Sequence, residues 1–444
     1  MIKAVKFGGS SLADANQIRK AAAIIQSDPA RRYVVVSAPG KRNARDVKVT
    51  DLLLECYRLS KAGESIDRPF DIIEERYRVI AAELGVELDL EPEFAKIRTA
   101  IINYAGSDYV ASRGEYLNAR VMAKFLGFPF IDAEDGIFFR EDGRLDAERT
   151  NRVLGELLRG VDHAVIPGFY GSMPNGTIRT FSRGGSDITG SIAARAVGAQ
   201  LYENWTDVSG MLMADPRCVR DPKPIARITY RELRELSYMG ASVMHEDAIF
   251  PVRVAGIPIN IRNTNRPEDP GTMIVPEEDT PADGVITGVA GKVGFMSVNI
   301  DKAMMNAELG FGRRVLEAFE DRGISFEHLP SGIDTMSVVV NKADVAPQLD
   351  RILADLRHSV NPDTVAVHEG LALIAVVGRG MIQAPGSAAR VFSALARSGI
   401  NIRMIDQGSS ELSIIVGVNE QDYELALQAI YEEFTDDDGK GNAV

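Results

Sequence analysis

The chain has 444 residues, of which 45% are apolar and 25% charged, and its net charge is −13 at neutral pH. At about 100–200 residues per domain, this length predicts two to four domains of ordinary globular composition. The acidity excludes nucleic acid and anionic membrane as partners, because both require clustered positive charge, and any anion site must be built locally from a few cations and backbone amides.

In chain order, Ala4 to Phe7 predicts a short strand running into Gly8-Gly9-Ser10-Ser11, and Asp14 to Gln26 a helix. The β-branched run Tyr33 to Ser37, closed by Ala38-Pro39-Gly40, predicts a buried strand. Helical patterns cover Thr50 to Lys61, Asp71 to Leu84, Glu91 to Ala105 and Glu115 to Leu126. Further strands are expected at Phe128 to Asp132, Ala164 to Pro167, Gln200 to Asn204 and Pro258 to Asn263, with a helix over Ile188 to Val197 between them. Such alternation implies parallel strands buried under helices on both faces, an α/β domain with ligands at the C-terminal strand ends.

Near residue 270 the chain turns polar and Pro-rich, as a domain end and linker would. Beyond it lies an internal repeat. At an offset of 386 − 310 = 76, Gly310 falls on Gly386, Arg314-Val315 on Arg390-Val391, Gly323-Ile324 on Gly399-Ile400, and Ser337 on Ser413. Two copies of this size predict a pair of small βαββαβ domains rather than a solenoid.

Four segments carry chemistry. Lys6-Phe7-Gly8-Gly9-Ser10-Ser11 ends the first strand, so its glycines allow close backbone approach to a phosphate chain and Lys6 adds a point charge. It is not a Walker A loop, where the Lys follows the glycines, and a plain structural turn also fits. Ser182-Arg183-Gly184-Gly185-Ser186-Asp187 opens a helix and forms a second anion nest; capping alone accounts for the acid but not for Arg183 and both glycines. Tyr202 to Val208 ends a strand and leads to Gly210 and Asp215-Pro216-Arg217, which fits a nucleotide loop or a polar loop with a half-buried Trp. Ser112-Arg113-Gly114-Glu115 precedes the predicted 115–126 helix; Glu115 fits either a helix-dipole partner or a carboxylate placed for an ammonium group.

The five histidines and two cysteines, Cys56 and Cys218, fit no metal-ligand spacing, so no protein-held metal is expected. No nucleophile–base–orienter set is present either. A carboxylate acceptor, ionised at neutral pH, would need none, and transfer would rest on alignment and charge neutralisation. Met1 to Ser11 has no signal-peptide layout, and no apolar run approaches the ~18 residues that span a bilayer, so the cytoplasm is the expected location.

Taken together and in this order, the Lys6–Ser11, Ser112–Glu115, Ser182–Asp187 and Trp205–Val208 segments resemble the aspartate kinases of the amino acid kinase superfamily. The C-terminal repeat resembles the paired ACT domains of that family, and the likeness covers essentially the whole chain. It implies a three-layer αβα kinase domain over 1–285 and two ferredoxin-like ACT domains, 286–365 and 366–444, the second threaded into the first.

The resemblance implies roles for particular positions. Lys6 stabilises the transferring phosphoryl group and Asp187 organises Lys6. Gly8, Gly9, Ser10 and Ser186 line the phosphates of Mg²⁺-ATP. Ser37, Thr50, Glu115 and Arg183 bind L-aspartate, Glu115 through its ammonium and Arg183 through its α-carboxylate. Thr206, Asp207, Leu212 and Arg217 contact the nucleotide. An amino-acid effector, lysine with threonine as a second candidate, binds around Met304, Met305, Gly310, Phe311, Glu327, Ser331, Ile333 and Asp334. A homodimer or larger assembly forms through the ACT domains.

There are departures. The family lysine that helps hold nucleotide phosphates is Ser242 here, and Lys41 to Lys48 form extra polar length that fits either a replacement cation or a lid. Two other readings share these residues: a kinase for another acceptor such as glutamate, and a catalytically weak amino-acid sensor.

Overall fold

In a computed structural model of the chain, residues 1–182, 184–241, 244, 246–276 and 282–435 are described. They divide into two compact units. The first comprises the described parts of 1–211, 225–230 and 243–280; the second comprises the described parts of 212–224, 231–242 and 281–444. A single cut near 285 therefore differs from the observed division by two excursions. Both are held by hydrogen bonds within the second unit. Val289 N–H donates to Met213 O at 2.7 Å, Lys223 N–H to the Tyr431 hydroxyl at 2.9 Å, and the Thr287 hydroxyl to Glu232 at 2.6 Å.

The first unit is built on a seven-stranded sheet. Its strands are β1 (Lys3–Phe7), β2 (Arg31–Val36), β3 (Ala164–Pro167), β6 (Leu201–Thr206), β7 (Arg227–Thr229), β8 (Ile259–Asn263) and β9 (Thr272–Val275), in the order β3-β2-β1-β6-β8-β9-β7. All neighbours are parallel except β8 and β9. A short hairpin, β4 (Tyr170–Ser172) and β5 (Ile178–Thr180), stands apart. Val5, Phe7, Val34, Val35 and Val36 are wholly buried, as β-branched and aromatic residues are when helices cover both faces. The covering helices are α1 (Ala15–Gln26), α2 (Val49–Lys61), α3 (Asp67–Leu84), α4 (Glu91–Ile102), α5 (Ser107–Leu126), α6 (Ala133–Gly136), α7 (Ala147–Arg159) and α8 (Gly185–Val197). Of α9 (Tyr230–Tyr238), only Tyr230 counts with this unit; α10 (Glu246–Val254) belongs to it.

Two expectations are corrected here. The predicted helix from Glu115 begins at Ser107, so Ser112 to Glu115 lies mid-helix and Asp108, not Glu115, meets the helix N-terminus. Gly114 thus sits inside a helix, although glycine disfavours helix interiors. Its reason is packing: a Cβ there would lie 2.8 Å from the Ala38 Cβ. The predicted strand Phe128 to Asp132 is reduced to one parallel bridge, Phe130 to Val165.

The second unit holds a five-stranded antiparallel sheet, β10 (Gly288–Asp301), β11 (Thr335–Asn341), β12 (Thr364–Val377), β13 (Met404–Asp406) and β14 (Ser413–Asn419), ordered β11-β10-β12-β14-β13. Its helices are α11 (Phe311–Glu320), α12 (Lys342–Val345), α13 (Leu349–Val360), α14 (Ser387–Arg397) and α15 (Tyr423–Thr435). The repeat is visible in backbone geometry: Gly310 and Gly386 cap α11 and α14 in the same left-handed conformation, φ 76° and 91°.

Two cores run through this sheet. One gathers Met296, Val298, Phe311, Val315, Phe319 and Leu356. The other joins Ile286 and Val289 to Ile374, Val391, Val416 and Leu427. The first small domain is thus continuous in sequence, and the second is split around it. This reverses the expected threading, because the beginning of β10 pairs with the end of β12. Among the described residues no helix is long and apolar enough to cross a membrane.

Candidate active site

Three strand ends meet in register: Phe7 pairs with Val36 of β2 and with Trp205 of β6, so Lys6 stands beside Asn204. Lys6, only 7% exposed, places Nζ 2.6 Å from Asp187 Oδ1 on the first turn of α8. Asn204 Nδ2 donates to the same oxygen at 2.9 Å. Among the described residues, one carboxylate therefore fixes a buried ammonium at the C-terminal edge of the sheet through Oδ1, and Oδ2 takes no partner.

After Lys6 the chain folds tightly. Gly8 N–H donates to Trp205 O at 3.0 Å, Ser11 N–H to Gly8 O at 3.0 Å and Leu12 N–H to Gly9 O at 3.1 Å. Among the described residues the Gly9 and Ser10 amides find no acceptor. Two adjacent free N–H groups beside a lysine form a cradle for anionic oxygen. Gly40 closes its back: its N–H donates to Gly9 O at 2.8 Å, and a Cβ on Gly40 would lie 2.6 Å from the Gly9 carbonyl carbon. The second nest heads α8, where Gly185 and Ser186 are the first helical residues and their amides precede the helical ladder. Ser186 packs against Gly168, whose Cβ would stand 2.6 Å from the serine hydroxyl.

Phe169 bridges β3 and α8 at φ 83°, a region that costs a residue with a side chain about 1–3 kcal/mol. Thr189 supports it: its hydroxyl accepts from Phe169 N–H and donates to Gly185 O, each at 3.0 Å.

The acceptor side is formed by α5 and the loop after β2. Glu115 is 6% exposed, and its Oε2 has no hydrogen-bond partner. Burial pushes its carboxyl up to about 8, against partial relief from the Ala38 and Glu115 backbone amides. A buried acid with one idle oxygen is suited to a ligand that brings positive charge. Asn118, one helical turn on, donates to Ser37 O at 2.7 Å and so ties Ser37 to the same helix. Thr50 lies half-buried in the first turn of α2. A cavity of 590 Å³ in this unit is lined by Phe139, Arg144, Arg179, Ser182 and Phe250 among others.

The structure thus gathers Lys6, Gly8, Gly9, Ser10, Ser186 and Asp187, and relates Ser37 and Glu115 through Ala38 and Asn118. Arg183 and Ser242 lie outside the described residues. Thr206 ends β6 with its hydroxyl on Asp207 at 3.2 Å. Leu212 and Arg217 belong to an excursion counted with the second unit, where Arg217 is held bidentately by Asp215. Sequence reading missed Asn204, Phe169 and Gly40. Asn204 was within reach, since it follows the β6 pattern at the strand end that carries Thr206.

In the second unit four of the expected effector positions come together. Asp334 accepts from Met304 N–H at 2.8 Å, and Asn306 N–H donates to Ile333 O at 3.2 Å, which brings Met304, Met305, Ile333 and Asp334 together. Gly310 heads α11, but Phe311 is 4% exposed and packs in the core, so its side chain shapes the loop from beneath. Glu327 takes the Tyr238 hydroxyl, and the Ser331 hydroxyl turns back to Leu329 O at 3.1 Å.

Comparison with known proteins agrees with this construction. Residues 1–263 match the amino acid kinase family, and residues 374–434 match an ACT domain. The chain is 41% identical to aspartokinase 3 of Bacillus subtilis over 98% of each. A crystal structure of the Clostridium acetobutylicum aspartate kinase is 50% identical and superposes with a TM-score of 0.90, covering 98% of this chain and 100% of that one. E. coli aspartokinase III, crystallised with lysine and aspartate, is 25% identical with a TM-score of 0.74, over 98% and 99% of the two chains. The chain belongs to the amino acid kinase family, among its aspartokinases, with an ACT regulatory region following the kinase domain.

Proposed function

We propose that the chain carries the γ-phosphoryl group of Mg²⁺-ATP to the β-carboxylate of L-aspartate, giving ADP and 4-phospho-L-aspartate. The observation that carries this reading is the Lys6–Asp187 pair, with Nζ and Oδ1 2.6 Å apart between two turns of free backbone amides. A β-carboxylate oxygen attacks the γ-phosphorus, the bond to the β–γ bridging oxygen breaks, and ADP leaves with that electron pair. No proton moves, because the acceptor is already ionised. Catalysis is then alignment and charge neutralisation. Lys6 meets charge on the transferring group, held by Asp187 and Asn204. The Gly9, Ser10, Gly185 and Ser186 amides receive phosphate oxygens, and Mg²⁺ arrives with the nucleotide. Glu115 receives the ammonium of aspartate, Ser37 and Thr50 shape its pocket, and Arg183 takes its α-carboxylate. Thr206, Asp207, Leu212 and Arg217 serve the nucleoside.

The kinase domain ends near residue 285 and two ACT domains follow. Lysine is the effector, with threonine as the second candidate, held by the Met304–Asp334 loop pair and Gly310. Support comes from the E. coli relative, whose structure contains lysine and aspartate. Met304, Leu309 and Ile333 are 70%, 94% and 71% exposed in this region, an apolar surface suited to a second copy of the chain. The enzyme would act in the cytoplasm at the entry to lysine, threonine and methionine biosynthesis.

Acyl phosphate trapped as hydroxamate tests the reaction. Product with aspartate and not with glutamate or without acceptor is expected. Product with glutamate alone would replace the substrate, and none in folded, effector-free protein would promote an amino-acid sensor.

A further inference from the structure

We infer that Arg76 and Asp46, which belong to none of the motifs, are positioning residues for the donor nucleotide: together they clamp the turn that presents the Gly9 and Ser10 amides. Arg76 lies on α3 and is 6% exposed. Its Nη2 donates to Ala13 O at 2.9 Å and to Gly40 O at 2.6 Å. Its Nη1 donates to Asp46 Oδ2 at 2.8 Å. Ala13 follows the Ser10–Leu12 turn, and Gly40 is bonded to Gly9 and packed against it. One guanidinium therefore ties the residue that ends the turn to the glycine that backs it, a task for a planar fork rather than a point charge.

Asp46 is the outer half of the clamp. It also takes Arg42 through Nε at 2.9 Å, Nη2 at 3.0 Å and the backbone N–H at 2.9 Å. The Arg42 hydrogen bond, with Arg76 behind it, holds the Asp46 carboxyl well below the usual carboxylate range, so the clamp stays charged at working pH. The extra Lys41–Lys48 length is thus pinned through Asp46 to α3. Arg76 Nε has no hydrogen-bond partner. A buried guanidinium left short of a partner is costly, and the two carbonyls and the carboxylate on its other nitrogens offset that cost. The helix does not need the clamp to stay seated, since Phe70, Ile73, Tyr77 and Ile80 anchor α3 in the core.

This inference rests on the nucleotide reading of the Gly8–Ser10 turn and is tested by nucleotide binding rather than turnover alone. ADP affinity is measured by calorimetry in the wild type, Asp46→Asn, Arg76→Lys and Arg76→Met, together with aspartate affinity, KM for each substrate and thermal midpoint. The ADP Kd and the KM for ATP are expected to rise about fivefold in Asp46→Asn and about tenfold or more in Arg76→Met. Arg76→Lys should recover part of the loss, and aspartate affinity should stay within twofold. If Arg76→Met does not fold, Asp46→Asn decides, because it removes one charge at a surface loop. ADP affinity within twofold of wild type in a folded variant overturns the clamp, as does equal weakening of ADP and aspartate. Failure of the aspartokinase reading appears separately, as no acyl phosphate from aspartate in the wild type.

Discussion

Aspartate affinity should depend steeply on pH, and Glu115 is the reason. Burial pushes its carboxyl up to about 8, while its unpaired Oε2 awaits a cation. With that value about one site in ten is ionised at pH 7 and about nine in ten at pH 9. Binding an ammonium requires the ionised form. The aspartate Kd should therefore tighten about tenfold from pH 7 to pH 9 and weaken about another tenfold at pH 6. Calorimetry without ATP, in buffers of different ionisation enthalpy, should find close to one proton released per aspartate bound at pH 7. Glu115→Gln should bind about 10²-fold more weakly at pH 9 and lose the pH slope. The same group sets a stability trend in the ligand-free protein. Its folded value lies above the unfolded 4.5, so the folded state holds the extra proton. The stabilisation is fully present below pH 4.5 and is lost as pH rises through about 8. Between pH 6 and 9 the thermal midpoint should fall, less so in Glu115→Gln, and saturating aspartate should restore it. A wild-type Kd that is flat from pH 6 to 9, or a slope that survives in Glu115→Gln, would refute the reasoning.

Lys6→Ala should lower kcat by about 10²–10³-fold, the usual cost of one transition-state charge donor, in a hydroxamate assay at saturating substrates. Asp187→Asn keeps a hydrogen bond but not the charge that fixes Lys6, so a smaller loss is expected in the same assay. Gly40→Ala should unfold the turn or abolish ADP binding, since its Cβ would lie 2.6 Å from the Gly9 carbonyl carbon; near-normal ADP titration would contradict that geometry. Among the described residues Lys41 has no ion pair and follows Gly40 directly, so Lys41→Ala should raise the KM for ATP severalfold and Lys41→Arg should not. Asp334→Ala frees the Met304 amide and should raise the lysine concentration for half-inhibition at least fivefold with uninhibited kcat unchanged.

Much of this protein was legible in the order of its residues. The β-branched runs of β1 and β2, the strand-end glycines and the Gly310–Gly386 repeat are local signals, because a buried strand, a tight turn and a helix cap each place their demand on the residue that occupies them. Lys6, Gly9, Ser186 and Asp187 could be chosen for the same reason. Other features had no local mark. Gly114 stands just before the helix expected from Glu115 and is instead a contact point within it, excluded from having a side chain by Ala38 across the interface. Arg76 sits in an unremarkable helix, and only the packing of α3 against the Gly40 turn gives it two carbonyls and a carboxylate. The threading of the two small domains turned on which half of β10 pairs with which half of β12, a long-range choice that the internal repeat leaves open. The sequence by itself determined the chemistry available at each strand end, since residue type sets charge, donor count and backbone freedom. The tertiary structure alone decided which of those groups share a site and which acid is left with an idle oxygen, because burial and register are properties of the whole sheet and its covering helices rather than of any one segment.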